Sequence, residues 1–206
     1  MEQGLSGILI AGSSHVGKTT LAKRLMEALG LNMISTDGLA RHPGRPWPNV
    51  RPPVAEYYSR LSPETIYWFL KVHHENMWPG LKRMIEDEIR AQRPFVLEGS
   101  ALRPEFIAPV ISNTVVGLCL HADADVLAER MRAEAGYLQA GEAERGVIDK
   151  FIERSLRDNS EMHKAAQEHG LRIVDAADPL AVADLVDELV QRASSVGSAT
   201  SVTLRG

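Results

Sequence analysis

The sequence predicts a three-layer α/β/α domain built around a parallel sheet. Short apolar runs alternate with longer segments of helical periodicity along most of the chain. Five of the runs read as strands, at residues 7–12, 31–36, 94–97, 114–120 and 171–174. With 206 residues, 44% of them hydrophobic, the chain is long enough to bury one continuous core. Strands that alternate with helices are joined by right-handed crossovers, and we therefore expect one α/β sandwich.

The first three strands and their helices follow ordinary local rules. Residues 18–29 carry apolar side chains at helical spacing, and Gly30 stands where a helix commonly ends. A second helix is predicted to begin at Ser62, with Pro63 in its first turn, and to be interrupted at Pro79. The third and fourth strands are almost wholly apolar, which is typical of strands covered on both faces.

The later helices are predicted at residues 123–133, 146–168 and 179–192. Residues 122–146, which include a polar link with Gly136 and Gly141, are expected to form a lid over the site. We place one domain at residues 1–193. The small, polar residues 194–206 are predicted to be disordered.

Residues 38–60 break the periodicity. Five prolines fall between Pro43 and Pro53, interleaved with arginines, so no regular helix or central strand is expected there. Long irregular segments in compact domains are often functional. We interpret residues 38–60 as an insertion that faces a substrate.

Charge and cysteine content exclude several classes of function. The formal net charge is −4, which does not favour binding to nucleic acid or to an anionic membrane. The single cysteine, Cys119, cannot form an internal disulfide. No apolar run is long enough to cross a bilayer, and the N-terminus does not resemble a signal peptide. A cytoplasmic monomer or homodimer is the expectation.

Residues 12–19 match the phosphate-binding pattern G-x-x-x-x-G-K-[ST]. The match lies between a predicted strand and a predicted helix, as the pattern requires. Backbone N–H groups at such a helix start point towards phosphate oxygens. Lys18 would reach the β- and γ-phosphates, and Thr19 would ligate Mg²⁺. The residues expected to hold the nucleotide here are Gly12, Ser13, Ser14, His15, Val16, Gly17, Lys18, Thr19 and Thr20.

Two carboxylates are expected beside this loop. Asp37 follows the second strand and Glu98 ends the third, at the edge of the sheet where open α/β sheets bind ligands. Asp37 could orient or deprotonate an attacking hydroxyl, and Glu98 could support Mg²⁺ or substrate. The alternatives are a helix-capping role for Asp37 and a plain surface position for Glu98.

Two other classes of phosphate-binding protein fit the sequence less well. The chain has no Asn-Lys-x-Asp element for guanine, and its third strand does not end in Asp-Glu. Small-molecule kinases therefore fit better than GTPases or motor-like ATPases.

Together these segments resemble a known family. The loop at 12–19, ISTD at 34–37 with Arg41 after it, and LEGSALRP at 97–104 are similar to P-loop kinases like 2-phosphoglycerate kinase, and more loosely to gluconate, shikimate and adenylate kinases. The resemblance implies the P-loop NTPase fold with strand order 2-3-1-4-5, ATP and Mg²⁺ as cofactors, and a small-molecule acceptor. It implies substrate contacts from Asp37, Glu98 and Gly99. Five arginines surround the expected acceptor region and could clamp an acidic or phosphorylated substrate, or else keep the proline-rich surface soluble: Arg41, Arg45, Arg51, Arg60 and Arg103. The proline-rich residues 43–53 depart from that family.

Arginines are expected to complete the site. Kinases of this class bring arginines over the transferred phosphoryl group. The candidates are Arg130, Arg132 and Arg154 for catalysis and Arg157 for the nucleotide. Solvated arginines are common on helices, but at least one of these is expected to be catalytic. Asp175, after the fifth strand, stands where adenine contacts the backbone in the related kinases.

The sequence as a whole predicts an ATP- and Mg²⁺-dependent phosphotransferase acting on a hydroxyl or phosphate of a small molecule. Two other classes stay open. One is an ATPase that works as a switch or assembly factor, and the other is a nucleotide-binding module without a small-molecule acceptor.

Overall fold

A computed structural model of the chain describes residues 4–40 and 43–199, with the side chains of 195–199 excepted. Arg41 lies outside the described residues. The strands are β1 (Gly7–Ala11), β2 (Asn32–Ser35), β3 (Phe95–Glu98), β4 (Val115–His121) and β5 (Arg172–Asp175). The helices are α1 (Lys18–Leu29), α2 (Pro52–Arg60), α3 (Pro63–Arg90), α4 (Pro104–Ile107), α5 (Ala124–Glu134), α6 (Glu142–Glu168) and α7 (Pro179–Ala199). Short 3₁₀ turns span Thr36–Gly38 and Ala108–Val110.

The five strands form one parallel sheet in the order β2-β3-β1-β4-β5. Ile8 in β1 pairs with Val96 on one side and with Val116 on the other. The predicted fold class and strand order are confirmed. Because β1 is central, the loop that follows it leaves the sheet between the ends of β3 and β4.

Alternate residues of the strands face two different cores. Ile8, Ile10 and Val96 pack with Leu21 of α1 and Leu185 of α7 on one face. The other face carries a separate group of buried side chains from the sheet together with α3 and α6, among them Leu9, Leu97, Cys119, Ile85 and Met162. The sheet is therefore covered on both faces, as the apolar runs predict.

Two expectations about prolines are wrong. Residues 38–60 contain a helix, α2, which begins at Pro52 and Pro53. Proline is tolerated in a first helical turn because its missing N–H would have had no partner there. Helix α3 also continues through Pro79 without interruption. Pro79 is exposed, so water can solvate the carbonyl group of Glu75 that loses its donor.

The last part of the chain is more helical than expected. Helix α6 begins at Glu142, and α7 extends to Ala199, so the predicted tail lies partly within α7 and partly, from residue 200, outside the described residues. Between α5 and α6 only residues 135–141 are non-helical. None of the helices described is both long enough and apolar enough to cross a membrane.

Candidate active site

The loop after β1 has a backbone that glycine makes possible. Gly12 has φ 145°, and a Cβ there would lie 2.8 Å from the Val16 side chain and 2.9 Å from the Leu120 carbonyl oxygen. Gly17 has φ 99° and caps α1. Both values lie in the left-handed region that favours glycine. The loop therefore curls tightly around the N-terminus of α1, as its pattern predicts.

Lys18, the first residue of α1, folds back over this loop. Its ammonium donates to the Ser13 carbonyl oxygen at 2.6 Å, and the side chain is buried. Burial lowers the pKa of Lys18, and the carboxylates of Glu98 and Asp37 oppose that shift. The one hydrogen bond that the ammonium forms with the described residues is to the loop itself, so the ammonium can move onto an incoming anion.

A side chain of α6 also holds the loop in place. Ser13 is buried, and its hydroxyl donates to the Asn159 side chain of α6 at 3.3 Å. Asn159 in turn donates to the Ala122 carbonyl oxygen at 2.9 Å. Sequence reasoning missed Asn159, since a polar residue within a long helix carries no local signal of its contact with a loop 146 residues away.

The ends of β2 and β3 lie very close together beside Asp37. Gly99 has φ 153°, and a Cβ there would lie 1.7 Å from the Thr36 hydroxyl oxygen. Only glycine fits between the two strand ends. Asp37 is exposed in the turn after β2, and its backbone N–H donates to the Ser35 hydroxyl at 3.4 Å. The predicted Gly99 thus acts by shaping the backbone beside Asp37.

Glu98 is a buried carboxylate of the loop cavity. Only 1% of its surface is exposed, and its Oε1 has no hydrogen-bond partner within the described residues. A buried carboxylate oxygen without a donor is costly unless a cation or a water molecule meets it. Thr19 lines the same cavity as Glu98. This pair of oxygen donors fits Mg²⁺, which proteins bind through one or two side chains, with phosphates and water completing its shell.

Three cavities meet around the loop. The loop cavity, of about 370 Å³, is lined by Ser14, His15, Gly17, Lys18, Thr19, Thr20, Asp37, Arg45, Glu98, Ser100, Arg130 and Glu134. The inner cavity, of about 170 Å³, is lined by Ser14, Asp37, Ala40, Gly44, Arg45, Leu70, Ser100, Phe151, Arg154 and Asp158. The edge cavity, of about 340 Å³, is lined by His15, Val16, Gly17, Thr20, Leu21, Arg24, Leu120, Arg130, Ala176 and Val182. Ser14, Asp37, Arg45 and Ser100 line both the loop cavity and the inner cavity.

Arg154 forms part of the inner cavity. Its guanidinium is buried, stacks on the Phe151 ring at 4.4 Å and contacts only hydroxyl groups at hydrogen-bond distance, those of Ser14, Tyr58 and Ser155. No carboxylate within the described residues forms an ion pair with it, and its Nε has no hydrogen-bond partner there. Arg154 is thus a buried cation that faces a cavity.

Asp158 lies one helical turn after Arg154 and is held by Arg103. The Arg103 Nη1 donates to Asp158 at 2.8 Å, and its Nε donates to Glu105 at 2.7 Å. Burial raises the pKa of Asp158, and Arg103 opposes that shift. Arg103 is itself 2% exposed and does not line the inner cavity. The structure therefore places Arg103 behind Asp158, and Arg103 lines none of the three cavities.

The other predicted arginines divide into two groups. Arg130 lines the loop and edge cavities and donates to the His15 carbonyl oxygen at 3.4 Å. Arg132 is exposed and stacks over Tyr137, and Arg157 stacks over Tyr67 at 4.3 Å beside Glu64. Arg132 and Arg157 line none of the three cavities.

A cluster that sequence reasoning missed joins the loop to residues 43–53. Glu134, at the end of α5, accepts hydrogen bonds from Arg45 and, at 3.3 Å, from the Trp47 indole. The His15 Nε2 lies 3.0 Å from the same carboxylate. Trp47 packs against Phe151 with ring centroids 4.7 Å apart. The arginine and tryptophan content of residues 43–53 was the one available signal, because their partner is 87 or more residues away.

The edge cavity lies where the fifth strand ends. Ala176 lines it, and its backbone N–H donates to the His121 carbonyl oxygen at 2.7 Å. Asp175 does not line the cavity. Its carboxylate accepts from the Ala177 N–H at 2.8 Å and so shapes the turn beside the cavity.

No protein-family model and no curated protein matches this chain. Among solved structures it is similar to a gluconokinase from Sinorhizobium meliloti 1021, at 18% identity over 98% of this chain and 100% of that one, with a TM-score of 0.49. It is also similar to shikimate kinases from Bacteroides thetaiotaomicron (21% identity, 93% and 98% covered, TM-score 0.46) and Aquifex aeolicus vf5 (15%, 93% and 98%, 0.48). The strand order of this chain, and not these likenesses, establishes its fold.

Proposed function

We propose that this protein is an ATP- and Mg²⁺-dependent kinase that transfers the γ-phosphoryl group to a small-molecule acceptor. The observation that carries the proposal is that Asp37 lines both the loop cavity and the inner cavity. A nucleotide held by the loop would end its phosphate chain beside Asp37. An acceptor in the inner cavity would present its hydroxyl to the same carboxylate from the other side.

The loop cavity and the edge cavity together suit a nucleoside triphosphate. The backbone of Ser14 to Thr19 and the Lys18 ammonium would hold the phosphates, and the adenosine would lie in the edge cavity towards Ala176. Thr19 and Glu98 would hold Mg²⁺, which when bound neutralises charge on the phosphate oxygens. Arg130 would bind the phosphates from the other wall of the cavity.

The inner cavity favours a small acceptor. Its volume of about 170 Å³ suits a molecule much smaller than a nucleotide, and its walls combine the charged Arg154 and Asp158 with the apolar Leu70 and Phe151. Asp37 would accept a hydrogen bond from the acceptor hydroxyl and orient it in line with the γ-phosphate. A switch ATPase or a plain nucleotide-binding module has no need of this second cavity.

A panel of small hydroxyl-bearing metabolites, assayed for ADP release with Mg²⁺–ATP and for a phosphorylated product by ³¹P NMR, tests the proposal. We expect acceptor-dependent turnover that Lys18→Ala abolishes. Asp37→Asn should lower kcat by about 10²- to 10⁴-fold, the usual contribution of a positioned acid–base group. Asp187→Asn, an exposed position on α7, is the matched control and should leave turnover unchanged.

The two rival functions give different results in the same assay. A switch or assembly ATPase would release phosphate at a rate that no acceptor alters, and a binding module would bind nucleotide without turnover. Wild-type turnover in Asp37→Asn would show that Asp37 does not orient the acceptor.

A further inference from the structure

Arg45 occupies a position that no other described arginine shares. It lines the loop cavity and also the inner cavity, next to Asp37 and Ser14. Arg130 lines the loop cavity without the inner one, and Arg154 lines the inner cavity without the loop cavity. Arg45 therefore lies at the boundary that a transferred phosphoryl group would have to cross.

The Arg45 side chain is held at this boundary from one side. Glu134 accepts from its Nη1, and Arg45 forms no other hydrogen bond or ion pair with residues 4–40 or 43–199. The Nε and Nη2 donors are thus available to a ligand. About half of the side chain is exposed (52%), so a phosphate oxygen can reach those donors without any rearrangement of the core.

Glu134 is itself fixed by two further groups. The Trp47 indole donates to it at 3.3 Å, and the His15 Nε2 lies 3.0 Å away. Trp47 is 7% exposed and packs edge-on against Phe151 in α6. The carboxylate is thereby tied to the loop and to the inner cavity, and the guanidinium that it holds takes a defined place between them.

We propose that Arg45 contacts the phosphoryl group in transfer and that Glu134 is the positioning residue that holds Arg45 there. This inference rests on the proposed kinase function. A guanidinium with one donor paired to a fixed carboxylate keeps its remaining donors for phosphate oxygens in a set geometry. An arginine of the proline-rich segment would then stabilise the charge of the phosphoryl group, in addition to Arg130 from residues 122–146.

Binding of Mg²⁺–AMP-PNP and Mg²⁺–ADP, measured by titration calorimetry, separates a contact with the γ-phosphate from a general effect on the cavity. For Arg45→Ala we expect affinity for Mg²⁺–AMP-PNP to fall about tenfold, as for a lost hydrogen bond to a charged group. Affinity for Mg²⁺–ADP should change by less than about twofold. Arg51→Ala, which removes an exposed arginine of the same segment that lines none of the three cavities, is the matched control and should bind both nucleotides as the wild type does.

Glu134→Gln tests the positioning role. Glutamine keeps the shape and one acceptor oxygen but loses the charge, so Mg²⁺–AMP-PNP should bind about threefold more weakly with Mg²⁺–ADP unchanged. In the Arg45→Ala background, Glu134→Gln should add no further loss, because the two residues act as one unit. If the role of Glu134 were purely structural, Glu134→Gln would lower the affinity for both nucleotides, and in the double variant this loss would add to that of Arg45→Ala.

The outcomes distinguish this inference from the proposed function. Equal losses for the two nucleotides in Arg45→Ala, or no loss, would overturn the role of Arg45 while wild-type nucleotide binding and acceptor-dependent turnover still stood. A wild-type protein that bound neither nucleotide would overturn the proposed function and this inference with it.

Discussion

His15 shows how much one side chain of the loop can connect. The loop pattern leaves the residue type at this position open, and the sequence indicates only that its backbone would face phosphate. In the structure the ring is packed against Trp47 and Phe151, with centroids at 5.7 and 6.1 Å, and its Nε2 lies beside Glu134. These partners come from three distant parts of the chain, so no local pattern could have revealed them.

The environment of His15 leads to a pH prediction. Burial lowers the pKa of His15 below its ordinary value of 6.5, as do Arg45 and Lys18, whereas Glu134 raises it. The folded protein therefore takes up this proton less readily than the unfolded chain. The contribution of His15 to the free energy of unfolding is then full above pH 6.5 and is lost as the pH falls through the lowered folded value.

His15→Asn removes this titration and keeps a residue type that tolerates the observed φ of 63°. We expect the stability advantage of the wild type over His15→Asn to be smaller at about pH 5.5 than at about pH 7.5, measured by urea unfolding. An advantage that stays constant or grows at low pH would contradict the assigned direction.

At the scale of elements, the prolines of α2 and α3 show which helix boundaries the sequence pattern predicts and which depend on exposure to solvent. Pro63 after Ser62 marks the start of α3 correctly, and the Ser62 hydroxyl accepts from the Thr65 N–H. The same residue type predicts no helix at Pro52 and a break at Pro79, and both predictions are wrong. At Pro52, in the first turn of α2, no hydrogen bond is lost. Pro79 is exposed, and there the lost hydrogen bond costs less than the packing of the whole helix gains.

Pro79→Ala should therefore stabilise the protein. Alanine restores the N–H that can donate to the Glu75 carbonyl and removes the clash of the ring. We expect an increase of about 1–3 kcal/mol in the free energy of unfolding, since part of the roughly 3 kcal/mol helix penalty of proline is offset by the freer unfolded chain.

Gly80→Ala is the matched control for this substitution. A Cβ at Gly80 would meet nothing within 4 Å, so the gain should be only the helix-propensity difference of about 0.5–1 kcal/mol. Chemical unfolding of both variants measures the two gains. A Pro79→Ala variant no more stable than the wild type would indicate that α3 is shaped by tertiary contacts that require the proline.

At the scale of the whole molecule, one buried ion pair ties the segment after β3 to α6. Arg103, which follows β3, and Asp158 on α6 are 55 residues apart, and each is about 2% exposed. Burial opposes the charge on Arg103, but Asp158 and Glu105 outweigh it and raise its pKa. Because Asp158 lines the inner cavity, this pair links the stability of the fold to the shape of the site.

Arg103→Met should cost about 3–5 kcal/mol, because it leaves Asp158 buried without its partner. The double variant Arg103→Met with Asp158→Leu should recover much of that loss, because the buried charge of Asp158 is removed along with its partner and the Glu105 carboxylate that remains is 30% exposed to water. Thermal and urea unfolding of the wild type, the two single variants and the double variant measure this coupling. If the losses of stability in Arg103→Met and Asp158→Leu simply added in the double variant, the pair would not act as a unit.

The sequence by itself determined the layered fold, the order of strands and helices, the loop at 12–19 and the placement of Asp37 and Glu98 at one sheet edge. Those features depend on periodicity, glycine positions and the direction of parallel strands, which are local or follow from general rules of topology. Only the tertiary structure decided which arginines face the cavities. Arg132 and Arg157 stack on tyrosines and Arg103 is buried behind Asp158, whereas Arg45, from a segment without periodicity, is held at the site by Glu134. The direction of a long charged side chain depends on partners brought near by folding, and neither spacing nor residue type carries that information.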